Sequence, residues 1–130
     1  MTLAGAWPRA LVPLAWMALI FYLSAEPPRP GPAWASIVAH FIEYAVLAAL
    51  WTWALAPELG GRALAVSLGV AAVYAVTDEY HQSFVPGRDA DPMDVAVDWA
   101  GAAIAVVTLR AWVQARGRAS TRATHSRNRG

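Results

Sequence analysis

The stretch ALAVSLGVAAVYAVT, from Ala63 to Thr77, has no charged side chain in fifteen residues. It cannot present the charged face that a soluble amphipathic helix turns to water. ALVPLAWMALIFYLSA, from Ala10 to Ala25, has the same character. Each run falls short of the ~20 residues that span a bilayer core. Their Trp, Tyr and Pro flanks tolerate the interface and extend the apolar length. The whole chain agrees with them: 58% of its 130 residues are hydrophobic and 15% charged, where a soluble chain carries about 25% charged residues. The rival, a soluble four-helix bundle with a greasy core, would need more polar residues than remain to cover it.

Working outward, the breaks between helices come from Pro and Gly. PPRPGP, from Pro27 to Pro32, cannot continue a helix. Pro57 and the Gly60-Gly61 pair make the second break, and FVPGRDAD, from Phe84 to Asp91, the third. Helices are therefore expected over about residues 11–24, 33–56, 62–81 and 92–113, with Pro92 suited to a first helical turn. The expected fold is all-α: a polytopic membrane protein built as a bundle of four transmembrane helices in residues 1–113. Residues 114–130, rich in Arg, Ser and Thr without apolar periodicity, are expected to form a disordered Arg-rich cytoplasmic tail drawn to anionic headgroups.

Orientation follows from arginine, since the chain has no lysine. With four spans, Arg9, Arg62, Arg110, Arg116, Arg118, Arg122, Arg127 and Arg129 fall on one side, and only Arg29 and Arg88 on the other. Eight against two is a positive-inside bias that predicts cytoplasmic N- and C-termini and an outward FVPGRDAD loop. Trp7, Trp34, Trp51, Trp53, Trp99 and Trp112 lie near expected helix ends as interfacial anchors, and Trp16 does not. A competing reading makes the first apolar run a signal peptide, since Arg9 precedes it and Ser24 and Ala25 end it. Three spans of the same orientation would then remain.

Charges inside membrane segments cost about 2.5 to 3.5 kcal/mol at a helix centre, so they need a reason. Here they form three stripes, all at outward helix ends. His40, Glu43 and Tyr44 stand at i, i+3 and i+4. Asp78, His81 and Gln82 repeat that spacing beside Glu79, and Asp91, Asp94, Asp98 and Gly101 follow at intervals of three, four and three. Arg88 is the cation closest in sequence to Asp89, Asp91 and Asp94 and is expected to be fixed by pairing with carboxylates, while a guanidinium also suits an anionic ligand such as phosphate.

Two interpretations compete for this cluster. In one, the charges only tie helix ends together. In the other, Arg88, His40, Glu43, Asp78, Gln82, Asp94 and Asp98 bind a ligand, with Glu79 and His81 the candidate catalytic pair for proton transfer. Asp98, deepest in its helix, also suits an orienting or packing role. With no cysteine, thiolate nucleophiles, thiolate metal sites and disulfides are excluded. A divalent ion on His40, His81 and a carboxylate is chemically conceivable, but no established ligand spacing supports it, so no metal or cofactor is expected. The expected partners are the lipid bilayer and an anionic lipid or lipid-linked cell-wall precursor, with no nucleic acid.

The stretch HFIEYAVLAAL from His40, the stretch DEYHQSFVPGRDADPMDVAVDWAG from Asp78 to Gly101, and WMALIFYLSAEPP from Trp16 resemble the VanZ-like family of bacterial membrane proteins. The likeness falls on His40, Phe41, Glu43 and Tyr44, on Asp78, Glu79, His81, Gln82, Phe84, Pro86, Gly87 and Arg88, and on Asp94, Asp98 and Gly101. The chain departs from the pattern at Ser36, Ile37 and Val38, where basic residues are common, and at Ala105, which replaces a glycine. The resemblance implies a several-span protein of the bacterial cell membrane, linked in some members to teicoplanin resistance, with no settled biochemical activity. It implies neither a ligase nor a peptidase. An intramembrane hydrolase or transferase on a lipid-linked substrate and a purely structural membrane protein stand as alternatives.

Overall fold

The computed structural model describes residues 7–28 and 30–127. These form four helices, α1 (Trp7–Ser24), α2 (Ala33–Leu59), α3 (Arg62–Gln82) and α4 (Pro92–Arg127), with no strand among the described residues. Arg29 and Arg129, both counted in the charge bias, lie outside the described residues. Three helical segments, Ala33–Leu59, Arg62–Gln82 and Pro92–Ala119, are long and apolar enough to cross a membrane, and the apolar Pro8–Ser24 segment is shorter.

The helices end largely where Pro and Gly were expected to end them. Gly60 closes α2 at φ 53°, a conformation that disfavours any residue with a Cβ. α4 runs past residue 113 to Arg127 as helix, where it was expected to end and give way to a disordered tail; Ala and Arg favour helix and no proline follows Val113, although Gly117 is a weak helix former.

Burial is inverted relative to a water-soluble protein. Leu11, Phe21, Ile42, Val73, Ile104 and Val107 point outward, while His40, Ser67, Asp78, Glu79, Gln82 and Asp98 are buried. Apolar surface has no reason to hide when the surroundings are lipid. The core is correspondingly lean, with Ile20, Tyr44 and Leu47 set among Ala48, Ala71, Ala75 and Ala102. Small residues let helix backbones approach. The closest approach is at Gly101 of α4, where a Cβ would collide with the backbone carbonyl of Phe41 in α2.

α2 is the central helix. It packs on α1, α3 and α4, whereas α1 makes contact with α2 and α3 and none with α4. Each touching pair shares at least one side-chain hydrogen bond. Trp16 Nε1 donates to the Glu43 carbonyl (2.9 Å), Tyr74 Oη to the Met17 carbonyl (2.6 Å), Thr52 Oγ1 to Ser67 Oγ (2.9 Å) and Trp99 Nε1 to the Ala72 carbonyl (3.1 Å). His40 and Asp98 join α2 to α4. Trp16, the tryptophan that did not fit an interfacial anchor, is thus a helix-to-helix clasp, and Trp99 serves the same way. Such bonds contribute about 0.6 kcal/mol each on average in membrane bundles.

Candidate functional site

The C-terminal ends of α1 and α3 and the N-terminal ends of α2 and α4 meet at one end of the bundle. Three local devices shape this end. Val85, Pro86, Gly87 and Arg88 form a reverse turn in which Arg88 N–H donates to the Val85 carbonyl (3.1 Å), with Gly87 at φ 83°. Pro second and Gly third are the residues such a turn requires. Asp91 caps α4, its Oδ1 accepting Met93 N–H (2.8 Å) while Pro92 occupies the first helical position, where its missing N–H costs nothing. Glu79 Oε1 in turn accepts the N–H of Asp91, tying the end of α3 to the start of α4.

Arg88 leaves the turn to lie against α1 and α3. Its Nε donates to the Glu26 carbonyl (3.0 Å) and its Nη1 to Gln82 Oε1 (2.8 Å). The Gln82 amide is polarised from its other end, where Nε2 donates to Asp78 Oδ2 (3.1 Å). The expected pairing of Arg88 with carboxylates does not occur: an amide and a main-chain carbonyl hold the guanidinium, and no described carboxylate forms an ion pair with it. Among the described residues its remaining N–H groups have no further hydrogen-bond partner.

Deeper in, His40 is 6% exposed and Asp98 1%. The imidazole donates through Nδ1 to Asp98 Oδ1 at 3.0 Å and turns Nε2 toward Asp94 Oδ2 at 3.9 Å. A carboxylate on one ring nitrogen fixes the tautomer and the ring plane. His81 and Glu79 point to different neighbours. His81 stacks on Phe21 of α1 (centroids 3.9 Å) and shares a hydrogen bond with Ser24 (3.2 Å), while Glu79 serves the α4 cap. Among the described residues no group of three His, Asp or Glu side chains gathers as a metal ion would need.

Between the Pro28–Pro32 connection, the start of α2, the end of α3 and the Arg88 turn lies a cleft of about 560 Å³. Its charged lining is His40, Glu43, Asp78, Asp89, Asp94 and Arg88. Six of the nine sequence-predicted site residues line it, namely Arg88, His40, Glu43, Asp78, Gln82 and Asp94. Asp98 stands behind His40, and Glu79 and His81 lie off the cleft wall. Several buried oxygens have no hydrogen-bond partner among the described residues: Tyr44 Oη, Asp78 Oδ1, Glu79 Oε2 and Asp98 Oδ2. The contributions of α1, through Ser24 and Phe21, and of the Glu26 carbonyl just after it were missed from sequence. Only the run from Trp16 through Pro28, shared with the family pattern, pointed toward this helix.

A family model, described as VanZ/LLP1, matches residues 9–113. Comparison with curated proteins and comparison with solved structures give no match.

Proposed function

Because the chain belongs to the VanZ/LLP1 family, we propose that it is an envelope protein of the bacterial cell membrane whose polar cleft binds the phosphate of an anionic lipid or a lipid-linked cell-wall intermediate. The observation that carries this reading is Arg88, which lines the cleft, is fixed by Gln82 and the Glu26 carbonyl, and keeps N–H groups that no described residue takes up. A guanidinium held in this manner is pre-organised for bidentate recognition of phosphate. In this reading four helices cross the membrane, both termini are cytoplasmic, and the cleft faces outward. Arg9 over Trp53 (5.7 Å) and Arg116 over Trp112 (4.1 Å) support that orientation, since they put Arg with interfacial Trp at the end remote from Arg88. Residues 114–130 then extend the membrane unit of residues 1–113 into the cytoplasm.

Binding is favoured over proton-transfer chemistry by Glu79 and His81, because those two side chains are engaged by separate neighbours on different sides of α3. Tolerance of teicoplanin would follow if the occupied cleft alters access to the envelope precursor that the drug needs. The test is survival in teicoplanin of a susceptible Gram-positive host carrying wild type, Arg88→Ala or Glu79→Gln, with membrane levels matched by immunoblot. Raised survival with wild type that is lost with Arg88→Ala and kept with Glu79→Gln is expected. Full protection by Arg88→Ala would sink the reading.

A further inference from the structure

The charge inside the cleft does not suit a purely anionic group. Against Arg88 and the His40 imidazole stand four carboxylates, Glu43, Asp78, Asp89 and Asp94. Asp94 faces His40. The Glu43 carboxylate makes no hydrogen bond or ion pair with a described residue. Asp78 is 3% exposed and lines the cleft with one oxygen held by Gln82 and the other, Oδ1, without a partner among the described residues. An unpaired carboxylate at such a site costs several kcal/mol. A phosphate brought to Arg88 alone would add to this excess of negative charge.

Resting on the phosphate recognition by Arg88 in the reading above, and putting a zwitterionic headgroup in place of an anionic one, we propose that the ligand carries a primary ammonium beside its phosphate, as in phosphoethanolamine, with the phosphate on Arg88 and the ammonium between Asp78 and Glu43. The spacing fits. Arg88 and Asp78 are joined through one Gln82 amide, at 2.8 Å on one side and 3.1 Å on the other, so opposite charges stand a short linker apart along one wall. An ammonium brings three donors to carboxylate oxygens that lack them. Glu43 lies in α2 and Asp78 in α3, so the ammonium would be gripped from two helices. The cleft, about 560 Å³, is within the ~300–1,000 Å³ of small-ligand sites.

The full chain, purified in a neutral maltoside detergent, is titrated by calorimetry with dihexanoyl phosphatidylethanolamine, dihexanoyl phosphatidylglycerol, dihexanoyl phosphatidylcholine and free phosphoethanolamine. The ethanolamine lipid is expected to bind at least about tenfold more tightly than the glycerol or choline lipid, as a close buried charge pair implies. Glu43→Gln, which breaks no hydrogen bond, and Asp78→Asn, which keeps an acceptor for Gln82, should each erase that preference. Arg88→Ala should weaken all three phospholipids. Equal binding of the glycerol and ethanolamine lipids, with loss in Arg88→Ala, would overturn the ammonium site and leave phosphate recognition standing. Binding of none of them would overturn both. Equal binding of free phosphoethanolamine and its lipid would uphold the paired charges and assign the ligand to a water-soluble source.

Discussion

His40 and Asp98 meet at 3.0 Å across the α2–α4 interface, and both are shut away from solvent. Removing one partner strands a buried polar group on the other helix, and that costs more than the bond itself contributes. Asp98→Ala should therefore lower stability by about 3 kcal/mol or more. Thermal unfolding in detergent, followed by tryptophan fluorescence, measures it. A loss under about 1 kcal/mol would mean that the pair is far less isolated than its burial indicates.

Gly101 sets the distance at which that pair can form. A Cβ there would overlap the Phe41 carbonyl, which is backbone and cannot rotate aside. Gly101→Ala is expected to part α2 from α4 and destabilise by about 2 to 3 kcal/mol, in the range of overpacked cores. Gly69 in α3 has nothing within 4 Å of the same position. Gly69→Ala should be neutral or stabilise by up to about 1 kcal/mol, since alanine is the better helix former. Melting curves of the two variants side by side separate close packing from helix propensity.

The turn that presents Arg88 can be altered without touching Arg88. Gly87 sits at φ 83°, so Gly87→Ala strains the turn by about 1 kcal/mol or more. It should weaken phospholipid binding severalfold while the melting temperature falls only slightly. Asp91→Ala, which removes the α4 cap, should cost about 1 kcal/mol of stability. Its effect on binding should be smaller than that of Gly87→Ala.

His81 distinguishes binding from proton transfer. It stacks on Phe21 and bonds Ser24, away from the cleft wall. His81→Phe should retain binding and teicoplanin survival, because the stack is preserved and one hydrogen bond is lost, at about 1 kcal/mol. Complete loss of survival with normal folding and membrane level would return the proton-transfer pair to first place.

The fold was largely legible because its determinants are local. Two uncharged runs and three Pro- and Gly-rich breaks mark out four helices, and i, i+3, i+4 spacing puts His40 with Glu43 and Asp78 with Gln82 at the same end of the bundle. Partner choice was less legible. Arg88 has four acids close to it in the sequence at Asp89, Asp91, Asp94 and Asp98, yet it bonds an amide and a main-chain carbonyl. Carbonyl acceptors belong to every residue and leave no mark in composition, so the parts played by Glu26, Glu43, Met17 and Ala72 as acceptors could not be read. Glu79 and His81, two apart in the sequence, looked like a pair because both side chains suit proton transfer near neutral pH. That spacing turns side chains to different sides of a helix.

α1 leans on α2 and α3 and never reaches α4. The His40–Asp98 and Gln82–Asp78 pairs therefore lie wholly within the three longer helices. α1 adds Trp16 to the Glu43 carbonyl and Ser24 to His81, and the residues just after it add the Glu26 carbonyl to Arg88. The guanidinium's posture thus depends on two parts of the chain, Gln82 in α3 and the Glu26 carbonyl just after α1. Severing the chain after Ala25 would spare the inner histidine pair and leave Arg88 leaning on the loose end of a severed strand.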